Sequence, residues 1–112
     1  MQRDLAYLAD ILQAARLAQA GVNGITKEFF LSDWIRQSAI IRQLEIIGEA
    51  TKRLSDGFKS VHAGIPWRRI AGMRDILIHA YAAVDLDEVW KAATEDVPRL
   101  IAAIEPLVPP EE

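Results

Sequence analysis

The segment Arg74-Asp75-Ile76-Leu77-Ile78-His79-Ala80-Tyr81 brings together a permanent cation, a carboxylate, an imidazole that titrates near neutrality and a phenol. Asp75 and His79 are four positions apart and share one face of any helix that carries them. The carboxylate can then fix the imidazole tautomer and raise its basicity. Arg74 and His79 are five apart, which on an ideal helix is about 140° of rotation and about 7.5 Å of rise. One copy cannot easily close both groups on a single phosphate. Either the helix unwinds at His79, or two copies meet across a two-fold axis and pool their groups. The same side chains also suit the polar side of an ordinary bundle helix, with Asp75 in a salt bridge to Arg74 or Arg68.

Other chemistry is scarce. Cysteine is absent, which removes disulfides, thiolate nucleophiles and thiolate metal sites and fits a reducing compartment. The two histidines, His62 and His79, have no partner at a metal-ligand spacing, so neither a metal nor a cofactor is expected. No glycine-rich phosphate loop is present, and none of the four serines sits in a nucleophile turn. Formal charge is −3 overall, yet it is unevenly spread: Lys52, Arg53, Lys59, Arg68, Arg69 and Arg74 face only Asp56 within residues 51–74, and the following segment is acidic. A net acidic chain is not an obvious nucleic-acid binder. Within the cationic stretch, Arg68 and Arg69 read either as a phosphate-guiding rim or as a solvated helix face. Glu49 and Arg42 read as polar surface or dimer contacts, His62 as a solvated loop residue, and Trp67 and Trp90 as core or interface anchors.

The elements that must position these groups are helical. Leu5, Leu8, Leu12 and Ala15 recur at helical spacing, with a stop near Gly21 and a turn at Asn23-Gly24. Thr26 can cap a short turn carrying Phe29 and Phe30. A long helix is expected from about Ser32 to Leu54, buried through Ile40, Leu44, Ile47 and Leu54. Ile41 and Ile46 widen its stripe enough to meet more than one neighbour, a second copy of the chain among the candidates. Ser55-Asp56-Gly57 breaks it. Ile65-Pro66-Trp67 opens a helix expected to reach His79 or Tyr81, with Pro66 in its first turn and Trp67, Ile70, Met73 and Leu77 inside. Asp85 and Glu88 form a capping-box-like pair for the last helix, which Pro98 should kink or split. No segment alternates with period two. The expectation is an all-α, up-and-down four-helix bundle with additional short helices, one domain over residues 1–112, its tail from 106 frayed. No apolar run approaches the roughly 20 residues of a membrane span, and no signal peptide is expected, so the reading is a cytoplasmic protein without membrane contact.

The chain resembles the HepT-like members of the HEPN superfamily, ribonuclease toxins encoded beside a minimal nucleotidyltransferase. Their pattern of Arg, a polar residue, three residues, His, any residue and Tyr is matched by Arg74, Asp75, His79 and Tyr81. The likeness extends through Ala39–Ala50 with its Leu-Glu-Ile-Ile-Gly-Glu-Ala block, Ile65-Pro66-Trp67-Arg68, and Val84-Asp85-Leu86 with Trp90. The resemblance implies a HEPN-like bundle that pairs as a homodimer, two copies of the motif lining the cleft between subunits. It implies metal-independent RNA cleavage by Arg74 and His79, and silencing when the partner nucleotidyltransferase transfers AMP to Tyr81. A non-catalytic nucleotide-binding or nucleotidyltransferase-docking module is the alternative for the same bundle, and a ligand-free helical scaffold is the third.

Overall fold

A computed structural model describes residues 2–75 and 85–110, Gln2 by its backbone alone. Seven α-helices and three tighter or wider turns of helix are present among the described residues, with no strand. Helix α1 is Gln2–Val22, α2 Lys27–Ser32, α3 Trp34–Arg53, α4 Asp56–Val61 and α5 Trp67–Ala71, the last running into a 3₁₀ turn at Gly72–Arg74. The final helical stretch comprises α6 Leu86–Lys91, a π segment at Ala92–Asp96, α7 Val97–Ile104 and a 3₁₀ turn at Glu105–Leu107. The expected all-α bundle is what forms, with α1, α3, the α5 segment and the α6–α7 stretch as its principal helices.

The starts and stops follow the local chemistry. Thr26 accepts from the Phe29 amide at 3.1 Å and caps α2 as its position predicts. Asp33 caps α3 through the Arg36 amide at 3.1 Å. Gly24 takes φ +77°, the left-handed conformation that lets the chain reverse after α1. The first turn of α3 then closes the two preceding helices: Arg36 donates to the Gly21 carbonyl at 2.9 Å and Gln37 to the Phe30 carbonyl at 2.9 Å. Each supplies a partner that a helix C-terminus lacks.

The core lies between α1, α3 and the α6–α7 stretch. From α1 it takes Leu8, Ile11, Leu12, Ala15 and Ala18, and from α3 Ile40, Leu44 and Ile47. The last stretch adds Val89, Val97, Leu100 and Ile104. Fully burying one such side chain contributes roughly 1.5–3 kcal/mol. Leu5, expected in the buried face, is instead exposed, because the inward stripe of α1 begins at Leu8 and passes through Ile11. The widened stripe of α3 does meet several neighbours: α1 and α2 pack on it, as do α5 and α6.

Two features near the site depart from the expected spans. Pro66 occupies the cap position before α5 instead of its first turn, with φ −77° and ψ 70°. The helix it opens does not stay α-helical up to Arg74 but tightens at Gly72, a residue with poor helix propensity. The expected extension to His79 or Tyr81 lies outside the described residues. At the other end, Pro98 splits the last helix as anticipated, by a change of register: the π segment precedes α7 and Pro98 falls in its first turn, where no amide proton is required. Leu107 and Val108, assigned to a frayed tail on sequence grounds, pack partly buried against the core.

Candidate functional site

Helix α3 is the template on which the Arg74 segment is laid. Gly48 is buried in its C-terminal half, directly against the 3₁₀ turn. A Cβ at position 48 would lie 2.5 Å from the Arg74 Cβ, 2.9 Å from the Arg74 amide nitrogen and 3.0 Å from the Ala71 carbonyl oxygen. Only a residue without a side chain allows this approach. On the next residue, Glu49, the Oε1 atom reaches the Arg74 Nε at 2.7 Å. One helical turn further, Lys52 stands 3.8 Å from the Asp75 carboxylate. Three positions of α3 therefore meet the backbone, the guanidinium and the neighbouring acid of one short segment.

Exposure decides what these groups can do. The Arg74 side chain is 33% exposed and Glu49 46%, so the pair is seated on the protein yet open to an incoming anion. Asp75 is half exposed. The sequence reading placed Asp75 beside His79 or in a bridge to Arg74 or Arg68; its ion pair among the described residues is with Lys52. His79 and Tyr81 lie outside the described residues. Arg69 turns to the other side of the segment, where its guanidinium binds Asp96 at 3.1 Å. Arg74 and Arg69 are thus engaged by different helices. Arg68 is exposed and has no ion pair among the described residues.

Glu49 also lines a shallow groove of about 260 Å³ between α1 and α3, shared with Tyr7, Asp10, Arg42, Ile46 and Arg53. Arg42 and Arg53 bring two further cations to that side, Arg42 in a loose 3.6 Å pair with Glu45. Two larger clefts, of about 680 and 650 Å³, lie at the chain termini against α1 and α4, and neither is lined by Arg74. Trp67 supports the segment from below: it is buried, and its indole nitrogen donates to the Lys59 and His62 carbonyls at 3.2 and 3.0 Å. Trp90 packs tilted against Phe30 with ring centroids 5.3 Å apart. Both tryptophans are anchors, as read from the sequence. His62 is not simply solvated; it ends α4 and packs tilted against Phe58 with ring centroids 4.7 Å apart.

Glu49, which reads from the sequence as polar surface or a dimer contact, is the residue that packing brings onto Arg74. Its position beside the one glycine of α3 is the signal that could have found it, because a glycine inside a long helix marks a close approach. Among the described residues no three His, Asp or Glu side chains converge as metal ligands, and no helix is long and apolar enough to cross a membrane. Chemically, the site is an anchored guanidinium on an open face, suited to bind a phosphate and to stabilise added negative charge on it.

Comparison with known proteins bears on this site. Residues 11–107 match the family model described as ribonuclease HepT-like. The chain is 48% identical over 101 residues to a protein of Thermococcus cleftensis named probable ribonuclease HepT, covering 90% of this chain and 92% of that one. Two further relatives bear the name putative RNase. One, from Caldanaerobacter subterraneus, is 43% identical with 84% of each chain covered. The other, from Methanocaldococcus jannaschii, is 36% identical over 93% of this chain and 96% of its own. No solved structure matches.

Proposed function

The chain belongs to the HepT-like ribonuclease family, and from that membership we propose that it is a metal-independent endoribonuclease whose reacting groups are Arg74 and His79. The observation that carries this reading is the extent of the match, which spans residues 11–107 and so includes the segment that holds Arg74, Asp75, His79 and Tyr81. The partly open, anchored guanidinium of Arg74 supports it.

In this mechanism the ribose 2′-hydroxyl attacks the adjacent phosphorus. One imidazole removes the hydroxyl proton while the new P–O bond forms; the bond to the departing 5′-oxygen breaks, and a second imidazole protonates that oxygen. Positioned acid–base catalysis of this kind contributes typically about 10²–10⁴-fold. Arg74 stabilises the charge that accumulates on the crowded phosphoryl oxygens. Because an ideal helix would carry Arg74 and His79 apart, the working site in this reading is the cleft of a homodimer, with His79 of the two protomers serving as base and acid. Arg68 and Asp75 belong to its surroundings, Arg68 as a rim for the RNA backbone and Asp75 as an orienting group for His79. Arg69 joins that rim on exchanging Asp96 for phosphate.

We assign the protein to the toxin half of a cytoplasmic toxin–antitoxin pair of the type VII kind. Its partner is a minimal nucleotidyltransferase that transfers AMP from ATP to the Tyr81 oxygen, releasing pyrophosphate. Each AMP adds a bulky anion next to the cationic cleft, opposing a phosphate substrate by repulsion and by occupancy. Incubation with RNA and analysis on denaturing gels tests the catalytic reading. Arg74→Ala and His79→Ala should each lower cleavage by about a hundredfold or more, and undiminished cleavage by both would overturn it. The mass of Tyr81 peptides after mixing with the nucleotidyltransferase and ATP tests the silencing. The net charge of −3 favours a second reading, a module that binds nucleotides or docks the transferase without cutting; it predicts intact RNA in the same gels.

A further inference from the structure

We propose that Glu49 is the positioning residue of the Arg74 site: its carboxylate sets where the guanidinium stands against the scissile phosphate of an RNA substrate. The inference rests on the ribonuclease reading above and adds to it a residue outside the Arg-to-Tyr motif.

Two consecutive residues of one rigid helix grip Arg74 at both ends. Gly48 admits the Arg74 Cβ and amide to distances that any side chain at position 48 would forbid, which fixes the base of the side chain. Glu49 takes the Nε atom at 2.7 Å and fixes the head. An arginine side chain otherwise samples many rotamers, and ordering it during the reaction costs free energy that a pre-aimed guanidinium has already lost. The grip is at Nε, the nitrogen nearest the stem. The two terminal nitrogens carry the other four N–H donors, the ones a phosphate's oxygens would take.

Placement on the surface argues against a purely structural role. Both side chains are substantially open to water, and such pairs contribute little to stability. A carboxylate beside a phosphate-binding cation also has an electrostatic cost for substrate affinity, because it cancels part of the field that draws in a polyanion. Glu49 therefore trades some attraction for geometry.

That trade sets the test. Steady-state cleavage of a defined RNA by the full-length protein should show Glu49→Gln with kcat lowered about 10- to 100-fold, the scale of a misplacement near 1 Å. KM should be unchanged or lower, because a negative charge has left the binding face. Glu49→Asp, which keeps the charge on a shorter stem, should recover part of kcat, and the melting temperature of both variants should stay that of the wild type. Wild-type kcat in Glu49→Gln would overturn the inference, as would a raised KM at constant kcat, or a lost kcat accompanied by a lost melting transition. Arg74→Ala run in parallel separates the two readings. If it is inactive while Glu49→Gln is not, only the role of Glu49 fails; if it cleaves normally, the ribonuclease site itself has been misassigned.

Discussion

At the scale of single residues, the charged groups around the motif are distributed among three partners: Arg74 to Glu49, Asp75 to Lys52, and Arg69 to Asp96. Surface pairs of this kind contribute about 0–1 kcal/mol each, so their effect is on direction more than on stability. Asp4 is different. It is buried, and it accepts from both the amide and the hydroxyl of Ser55 at 2.8 Å, while that hydroxyl in turn caps α4 through the Phe58 amide at 3.1 Å. The Ser55 amide first, then its hydroxyl, hold the Asp4 carboxyl below the ordinary aspartate value of 3.8, against the opposing effect of burial. A depressed folded pKa means the unfolded chain binds more protons in the window just below 3.8. The contribution is therefore complete above that value and is lost as pH falls through the folded pKa. Melting curves between pH 2 and 7 should show Asp4→Asn less stable near neutrality, and its stability should fall less steeply than the wild type's on the acid side. Parallel curves for the two proteins would contradict this account.

At the scale of elements, the contact of α3 with the 3₁₀ turn at Gly72–Arg74 determines where the guanidinium can be. It depends on Gly48, and its failure should be visible in both stability and activity. Gly48→Ala inserts a methyl group where Arg74 atoms stand 2.5 and 2.9 Å away. Because the 2.9 Å contact is to backbone, the turn as a whole must shift. Overpacking of this sort costs about 1–3 kcal/mol. Urea denaturation should register that loss, and the displaced Arg74 should lower RNA cleavage beyond what the unfolded fraction explains. Cleavage equal to wild type would show that the approach of the two elements is not what aims the site. The π segment before Pro98 is a second place where an element departs from ideal geometry, and there the departure accommodates an imino acid without losing Val97, Leu100 and Ile104 from the core.

At the scale of the whole molecule, the extents of 41 × 32 × 20 Å describe a slab about two helices thick. In such a slab every principal helix keeps one side toward solvent, and the Arg74–Glu49 pair lies on such an open side. The proposal is that two copies complete the site on that side. Specific cleavage activity should then follow the dimer fraction, falling on dilution in step with sedimentation-measured dissociation. Full activity in a preparation that sediments as monomer would rule out the shared cleft.

Much of this molecule was legible in its residues. The apolar periods placed the starts of the main helices within a few positions, Thr26 and Asp85 could be read as caps, and the Arg74 segment stood out as a candidate by the chemistry it concentrates. Such features depend on neighbours along the chain, where covalent geometry dictates which side chains share a face. Glu49 and Arg74, Lys52 and Asp75, Arg69 and Asp96 are separated by some 23 to 27 positions, and their meeting depends on how far one helix slides and turns against another. That packing is decided by the whole core at once, down to the absence of a single Cβ at Gly48, and a periodic pattern contains no record of it.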